Sequence, residues 1–243
     1  MPEESSKSSS FGLIVKNISR SFKDNLVLRE VSLRVNRGGV VGLIGPNGAG
    51  KSTAMKAMLG MIALKSGSII LNGENISSYS PQKRVAAGIA FVPQSMNIFS
   101  ELTVEENLEM GAFLRSDDIH ETISEIYELF PAMKEKRNQL AGELSGGQRQ
   151  QVAVSRALMT KPEVLMLDEP TAGVSPIVMD EIFDRILQIK NNGVAIVIVE
   201  QNAKQALNIA DYAYVLVGGE NKYEGHGQEL LNDQDVRKSF LGG

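Results

Sequence analysis

The chain has 243 residues, a formal net charge of −4 at pH 7 and a pI near 5.4, so its charge gives no reason to expect nucleic acid as the main ligand. Apolar residues make up 42% of it and charged residues 22%, values typical of a soluble globular protein. Because cysteine is absent, disulfide bridges and cysteine-based metal sites are excluded, and the composition fits a reducing compartment.

The first ten residues are polar and predict a disordered tail, 1–10, ahead of a folded domain that spans 11–243. They hold five serines, two glutamates and one lysine without an apolar segment, which is not the pattern of a secretory signal. No stretch reaches the about 20 apolar residues that a bilayer span requires. We therefore expect a protein that stays where it is made and meets a membrane, if at all, by docking.

Short β-branched runs alternate along the chain with helical patterns, which predicts an α/β fold around a mainly parallel sheet. The predicted strands are 13–18, 40–44, 68–72, 89–92, 164–168, 194–200 and 212–217. The predicted helices begin near Lys51, Ser80, Thr103, Ile119, Ser145, Pro176 and Asn202. Between about 93 and 160 the pattern is almost wholly helical, and Thr103 with Glu106 has the capping-box spacing. That block is interpreted as a helical insertion into the α/β core.

A glycine-rich loop follows the apolar run 40–44 and opens a predicted helix. It reads GPNGAGKS over 45–52 and matches the full pattern G-x-x-x-x-G-K-[ST]. Glycines let backbone N–H groups converge on phosphate oxygens, and the helix N-terminus adds partial positive charge. We predict that Lys51 neutralises the β- and γ-phosphates of ATP and that the Ser52 hydroxyl ligates Mg²⁺. The strand and helix around the loop argue against a turn that binds nothing.

Two adjacent carboxylates, Asp168 and Glu169, close the apolar run 164–167. The alternation of a strand would point them in different directions, at the edge of the sheet where α/β folds place ligands. Asp168 can then hold the Mg²⁺ shell while Glu169 faces the attacking water as general base. Alone, the pattern also fits a strand-to-turn transition, and its pairing with the phosphate loop favours the catalytic interpretation.

The segment LSGGQ, 144–148, decides the class of protein. A bare SGGQ also fits a helix entry with Ser145 as N-cap. Together with GPNGAGKST, FVPQ and VLMLDEP, in this order and spacing, it resembles the nucleotide-binding domain of ABC transporters, over 11–243. The resemblance implies the ABC variant of the P-loop NTPase fold: a mainly parallel sheet, an N-terminal antiparallel β region and a helical subdomain at about 95–160.

The resemblance also assigns the residues of an ATP site. The Walker A residues that bind ATP are Gly45, Pro46, Asn47, Gly48, Ala49, Gly50, Lys51, Ser52 and Thr53. The signature residues, which contact the γ-phosphate held by the opposite subunit of an ATPase pair, are Ser145, Gly146, Gly147 and Gln148. Phe22 sits where the family stacks an aromatic ring on adenine, although it could instead be a core residue.

The chemistry that the resemblance implies uses ATP and Mg²⁺. The metal is held by Ser52, Gln94 and Asp168. The catalytic residues are Lys51, Gln94, Glu169 and Gln201. Gln94 looks like the Q-loop glutamine, which touches Mg²⁺ or the attacking water and relays to the transmembrane subunit. Because the signature lies too far from its own phosphate loop in this family, two subunits are expected to enclose two ATP molecules head to tail, and hydrolysis opens the pair.

The sequence departs from the family pattern at two positions. Gln201 stands at the position of the switch histidine, and Ser175 stands where aspartate is common in the loop after Walker B. A carboxamide can donate to the γ-phosphate but cannot become cationic. The changes fit either a weakly hydrolysing subunit or a subfamily. We favour the subfamily, because VEQN at 199–202, TVEENL at 103–108 and the segment 236–243 resemble the second ATPase of branched-chain or hydrophobic amino-acid importers.

Importers of this group imply a set of partners at a membrane. These are transmembrane permease subunits, a second and different ABC ATPase, and an extracytoplasmic solute-binding protein. The expected location is therefore cytoplasmic, on the inner face of the plasma membrane. By resemblance, a groove near 94–102 with Met96, Ile98 and Phe99 receives a helix of the membrane subunit, although these side chains could equally be core.

Other functions remain open at this stage. Urea importers share the architecture, and a homodimeric exporter or lipopolysaccharide-type motor shares the fold and most motifs. Soluble ABC ATPases typically carry two ATPase domains, a coiled coil or a zinc hook, whereas one Walker A and one signature fill this length. Intact Lys51, Gln94, Asp168 and Glu169 argue against a catalytically dead regulatory subunit.

Overall fold

The most apolar strands of the chain lie at the centre of a six-stranded sheet. The computed structural model describes residues 11–23, 25–95 and 97–241; the predicted tail 1–10 and Met96 of the predicted groove lie outside them. The strands are β1 Phe11–Phe22, β2 Asn25–Asn36, β3 Val40–Ile44, β4 Ser66–Leu71, β5 Glu74–Asn75, β6 Ile89–Val92, β7 Val164–Asp168, β8 Ala195–Glu200, β9 Tyr212–Val217 and β10 Glu220–Gly225. The central sheet has the order β10-β9-β3-β8-β7-β6, and only β10 runs antiparallel to its neighbour.

Helices cover both faces of this sheet, as the predicted α/β fold requires. They are α1 Lys51–Met58, α2 Pro81–Ala86, α3 Val104–Gly111, α4 His120–Leu129, α5 Pro131–Glu135, α6 Gly146–Leu158, α7 Pro176–Asn191, α8 Ala203–Ile209, α9 Gly227–Asn232 and α10 Gln234–Val236. Ser80, Thr103, Ile119, Ser145, Ser175 and Asn202 are the N-caps of α2, α3, α4, α6, α7 and α8. In the described part of the chain, no helix combines the length and apolar character of a membrane span.

The side chains of β8 alternate between two hydrophobic clusters. Val197 and Val199 belong to a cluster that the central sheet shares with the second sheet and α1. Ile196 and Ile198 belong to a cluster formed with α3 to α7. A strand with apolar contacts on both faces needs no polar alternation, which explains why the continuous run was recognisable as a buried strand.

A second, antiparallel sheet has the order β2-β1-β4-β5 and packs on the first cluster. This confirms the N-terminal antiparallel region, but β2, β5 and β10 were not predicted. In β2, Val31, Leu33 and Val35 are buried and alternate with the more exposed Ser32 and Arg34, so a period-two signal was present. β10 carries no such signal, because it is a polar edge strand that follows β9 through Gly218 and Gly219.

Between β6 and β7 the chain forms α3, α4, α5, α6 and one short 3-10 turn. Thr103 begins this segment with the predicted capping box: its hydroxyl accepts from Glu106 N (3.2 Å), and Glu106 Oε2 accepts from Thr103 N (2.7 Å). The helical content of the block agrees with the sequence, while its boundaries as a subdomain at about 95–160 remain a prediction.

The C-terminal end of α1 is held by a buried arginine that the sequence did not indicate. Arg84 Nη1 donates to the carbonyls of Ala57 (2.9 Å) and Met58 (2.8 Å), and its other nitrogens reach Ser77 and Tyr79. Burial lowers the pKa of Arg84. The last carbonyls of a helix carry partial negative charge, so this guanidinium fixes the end of α1 to the loop that precedes α2.

Candidate functional site

The glycine-rich loop turns directly from β3 into α1. Gly45 has a φ of +148°, and a Cβ there would lie 2.2 Å from the carbonyl oxygen of Leu216. Gly48 has a φ of +78° with no atom within 4 Å of its Cβ position, so the loop is open on that side. The cap residue of α1, Gly50, supplies no side-chain bond to the first N–H groups of the helix. Free helix N–H groups beside an open glycine loop suit phosphate oxygens.

Lys51 is a buried cation whose amine contacts only neutral oxygens among the hydrogen bonds of the described residues. It is 6% exposed, and Nζ donates to the carbonyls of Gly45 (2.7 Å) and Pro46 (3.1 Å). Burial lowers the pKa of Lys51, and the nearby charges of Glu169 and Asp168 oppose this change. A buried charge without an ion pair is costly, so the amine favours an anionic ligand at this loop.

Asp168 is the last residue of β7 and Glu169 the first residue after it. Glu169 has a φ of +47°, which is the left-handed region and costs a residue with a Cβ about 1–2 kcal/mol. The predicted reason for their separation was therefore wrong: strand alternation ends at Asp168, and the left-handed turn directs the Glu169 carboxylate. Strained backbone of this kind is concentrated at functional sites.

Gln94 lies just beyond β6, the strand next to β7, and its side chain reaches the carboxylate of Glu169. Its Nε2 donates to Glu169 Oε2 at 2.6 Å. Burial raises the pKa of Asp168, the charge of Glu169 adds to the rise, and Lys51 and Lys56 oppose it. A divalent cation would favour the charged form of Asp168, and the oxygens of Asp168, Gln94 and exposed Ser52 are hard ligands of the kind Mg²⁺ takes.

These donors do not form a protein-only metal cage. Within 11–23, 25–95 and 97–241, no group of three or more carboxylate or histidine side chains is close enough to hold an ion. Mg²⁺ is commonly bound by one or two protein oxygens together with substrate phosphates. The residues present fit that second arrangement.

The glutamine at the switch position faces the phosphate loop. Gln201 follows β8, and its Nε2 donates to Asn47 Oδ1 at 2.8 Å. In the parallel register β8 pairs with both β3 and β7, so Gln201 leaves the sheet between the loop and the two carboxylates. Ser175, the other departure from the pattern, is the exposed N-cap of α7 without a side-chain cap bond.

Phe22 is not a core residue. Its side chain is 46% exposed at the end of β1, and the guanidinium of Arg20 lies 4.8 Å from the ring centroid. An exposed aromatic ring backed by a cation is available for stacking on a planar ligand. The core alternative is thus excluded, while adenine stacking stays a prediction.

The signature segment forms the N-terminal turn of α6. Ser145 Oγ accepts from Gln148 N (3.3 Å), and Gln148 Oε1 accepts from Ser145 N (3.1 Å), so the segment is also a capping box. Ser145 and Gly146 are exposed. Gly147 is buried, and a Cβ there would lie 2.2 Å from Cγ1 of Val178 in α7.

Two further polar residues lie beside the site, and the sequence motifs assign neither of them a role. Glu200, at the end of β8, is 3% exposed, and its Oε1 accepts from Thr171 Oγ1 (2.8 Å) and Thr171 N (3.2 Å). A signal was present in the sequence: Glu200 ends an aliphatic strand, as Asp168 does in β7. Thr171, by contrast, is an unremarkable residue in a turn.

An open apolar cavity of about 500 Å³ lies between α2, α3 and α6. We call it the apolar groove; its lining includes Met61, Val85, Phe99, Met110, Phe113 and Arg156. Phe113 is 72% exposed, and Phe99 is 46% exposed beneath the guanidinium of Arg156. Of the residues predicted to form a groove near 94–102, Phe99 alone among the described ones lines it. Ile98 instead packs against the second core cluster.

Comparison with known proteins places these motifs in a family context. A family model described as ABC transporter matches residues 28–172. The chain is 45% identical over 217 residues to the high-affinity branched-chain amino acid transport ATP-binding protein BraG of Pseudomonas aeruginosa, covering 89% of this chain and 93% of that protein. It is 39% identical to the probable branched-chain amino acid transport ATP-binding protein LivF of Archaeoglobus fulgidus, covering 93% and 96%.

Another relative belongs to a different transport system. The lipopolysaccharide export system ATP-binding protein LptB of Haemophilus influenzae is 36% identical, with 95% of this chain and 97% of that protein covered. Among solved structures, the ADP conformation of an ATP-binding cassette of an ABC transporter superposes with a TM-score of 0.84 at 31% identity, covering 96% of this chain and 99% of that one.

Proposed function

Because the chain belongs to the ABC transporter family, whose ATP-binding domains hydrolyse ATP, we propose that it is the motor subunit of an importer for branched-chain or other neutral amino acids. The observation that carries the cargo class is the 45% identity to BraG over 89% of the chain. Gln201 supports the same subfamily, because the importer group that the sequence resembles also has glutamine at the switch position. We further propose that the ATP-binding domain spans 11–243.

In this proposal the chain binds the phosphates of ATP through the glycine-rich loop. Lys51 leaves the carbonyls of Gly45 and Pro46 and donates to β- and γ-phosphate oxygens, which gives its buried charge an ionic partner. Backbone N–H groups of the glycine-rich loop and of the first turn of α1 surround the same oxygens. Phe22 stacks on the adenine ring.

Mg²⁺ would be held by Ser52, Gln94 and Asp168 and would neutralise charge on the phosphate oxygens. Side chains of the protein position the water that attacks the γ-phosphate. Glu169 accepts a proton from the attacking water as general base. Gln94, already hydrogen-bonded to Glu169 Oε2, orients that carboxylate and the water. Gln201 donates an amide N–H to the γ-phosphate.

The exposed turn Ser145–Gly146 serves the ATP of a partner subunit in the proposed dimer. Two such subunits enclose two nucleotides head to tail, and hydrolysis releases the closed state. Since Gln201 and Ser175 differ from the common pattern, the partner is proposed to be a different ATPase, and the two composite sites are unequal.

Gln201→His tests the role of the switch amide. An imidazole can donate to the γ-phosphate and can also become cationic, and charge assistance is worth on the order of 1 kcal/mol, or up to ~10-fold in rate. We expect an unchanged Kd for ATP and a hydrolysis rate that is equal or up to ~10-fold higher. Phosphate release and nucleotide titration measure the two quantities.

Gln201→Leu provides the matched comparison, since leucine has a similar size but no donor. Its hydrolysis rate should fall by about tenfold, the value of one such hydrogen bond in a transition state. If Gln201→His loses its activity and Gln201→Leu hydrolyses ATP at least as fast as Gln201→His, the glutamine does not act by donating a hydrogen bond to the γ-phosphate.

The apolar groove is proposed to receive a helix of the membrane subunit, which places the protein on the inner face of the plasma membrane. Exposed large apolar side chains around a cavity are typical of a protein interface rather than of free surface. Phe113 and Met110 project from the groove at 72% and 46% exposure. Arg156 also lines the groove, near the C-terminal end of α6, the helix that begins with the signature.

Capture of the affinity-tagged chain from its native membrane tests the proposal. We expect permease subunits, a second and different ATPase, and an extracytoplasmic binding protein. Leucine, isoleucine or valine, but not urea, should raise the melting temperature of the captured binding protein, because ligand that binds only the folded state stabilises it. A single ATPase species without a binding protein would instead indicate a homodimeric exporter or lipopolysaccharide-type motor.

Phe113→Asp locates the membrane contact within the same experiment. A buried aromatic anchor is commonly worth 2 kcal/mol or more at an interface, so yield of permease subunits should fall by about 30-fold. Phe113→Leu should retain them. Leu26→Asp, a similar change at a 37% exposed site in the β1–β2 hairpin, should also retain them. If Phe113→Asp captures as much permease as the unmodified chain does, the groove is excluded as the docking site.

A further inference from the structure

A buried carboxylate at the end of β8 is hydrogen-bonded to the turn that follows the proposed catalytic base. Glu200 Oε1 accepts two hydrogen bonds from Thr171, one from the hydroxyl and one from the backbone. Both residues are buried, at 3% and 6% exposure. Thr171 lies two residues after Glu169, and Glu200 lies directly before Gln201.

The backbone around Glu169 is fixed to the same strand. Glu169 N donates to the carbonyl of Val199 (2.8 Å), and Ala172 N donates to the carbonyl of Glu169 (3.1 Å). In the parallel register Asp168 lies opposite Val199. The turn that follows β7 is therefore attached to β8 at two points, the backbone of Val199 and the side chain of Glu200.

Glu169 needs such attachment because its backbone is left-handed, a conformation that residues with a Cβ adopt only when their surroundings enforce it. If the turn relaxes, the carboxylate of residue 169 moves with it. We propose that Glu200 is a positioning residue: through Thr171 it holds Glu169 in the left-handed turn that aims the base at the attacking water. This inference rests on the proposed function of Glu169.

The chemistry of Glu200 suits this role. Burial raises the pKa of Glu200, and the hydrogen bonds from the Thr171 hydroxyl and backbone oppose the rise. A carboxylate oxygen with two donors forms stronger bonds than a neutral acceptor. A glutamine at the same position keeps one oxygen for Thr171, so the contact weakens without disappearing. Alanine removes it and leaves a buried Thr171 hydroxyl without this acceptor.

The test measures kcat and KM for ATP in the complex captured from the native membrane. Glu200→Ala should lower kcat by about 10-fold to 100-fold, the cost of a misplaced catalytic group, with KM within about twofold. Glu200→Gln should recover most of the rate. Ile198→Val is the control for lost packing: it removes one buried methyl group from the same face of β8 and should leave kcat unchanged.

Thr171→Val keeps the inference testable if Glu200→Ala fails to fold. It removes the hydroxyl bond and leaves the backbone bond, so a fall in kcat of about threefold is expected, again with KM unchanged. An equal loss of kcat in Ile198→Val, or a KM that rises as kcat falls, would overturn the positioning role, because either result would indicate general destabilisation.

A double-mutant cycle separates this inference from the proposed function. In a Glu169→Gln background the base is already absent, so adding Glu200→Ala should lower kcat by less than about twofold. If Glu169→Gln itself keeps full activity, the proposed base is wrong. If Glu169→Gln is slow and Glu200→Ala lowers kcat equally in both backgrounds, Glu200 acts independently of Glu169 and the positioning role is refuted.

Discussion

Glu169→Gln is expected to lower the rate of ATP hydrolysis by about 10²-fold to 10⁴-fold, the usual contribution of a general base. The glutamine keeps the size of the side chain and an oxygen that can accept from Gln94, so the turn after β7 should persist. It cannot accept the proton of the attacking water. ATP affinity should stay within about threefold, since Lys51 and the glycine-rich loop are unchanged. Phosphate release and equilibrium nucleotide binding measure the two effects.

Glu163→Gln is the matched control for this change. Glu163 directly precedes β7, at the opposite end of the strand from Glu169, and its side chain is half-exposed beside Arg37 at 3.9 Å. The same chemical change there should leave both hydrolysis and binding as in the unmodified chain. Undiminished turnover in Glu169→Gln would remove Glu169 as the base.

Lys51→Met should raise the Kd for ATP by about 10-fold to 100-fold, because a hydrogen bond to a charged group contributes about 1.5–3 kcal/mol. Methionine retains most of the apolar stem, and it removes a buried cation that has no carboxylate partner among the ion pairs of the described residues. We therefore expect the ligand-free variant to be at least as stable as the unmodified chain. Thermal unfolding with and without ATP measures both effects.

The same melting experiment provides the control. ATP at 100 times its Kd should stabilise the unmodified chain by about 2.7 kcal/mol, and the same concentration should stabilise Lys51→Met by only about 0.4–1.4 kcal/mol. Lys56→Met, an exposed lysine on the same helix, should respond to ATP as the unmodified chain does. A large loss of ligand-free stability in Lys51→Met would show that the lysine is structural.

The parts of the fold that the sequence predicted well are those in which local pattern and tertiary burial agree. β3, β6, β7 and β9 begin and end as predicted, because each is an apolar run closed by a loop residue. Helix starts were equally clear, since Ser80, Thr103, Ser145 and Asn202 accept backbone N–H bonds as N-caps. β10 could not be found in this way, because a polar edge strand is defined by its partner.

In the candidate site, too, the features that follow from local sequence pattern were predicted, and those that depend on tertiary structure were not. Lys51, Asp168 and Glu169 could be named because their chemistry follows from a phosphate loop and a strand ending in carboxylates. The left-handed backbone of Glu169 could not, since no residue type at that position signals it. The contact between Glu200 and Thr171 joins positions 29 residues apart. Only the pairing of β7 with β8 brings them together.

The close approach of α6 and α7 at Gly147 and Val178 has a mechanical consequence. With no room for a side chain between them, the first turns of the two helices can act as the fulcrum of a lever whose arm is α6. Arg156, in the apolar groove, lies nine residues beyond Gly147 on that helix, or about 13.5 Å at 1.5 Å per residue. A tilt of about 10° about the fulcrum would then move the Arg156 side of the groove by about 2 Å, while the signature turn rotates but is hardly displaced. A small rotation of the signature turn at the nucleotide would thus become a larger displacement of a helix docked in the groove.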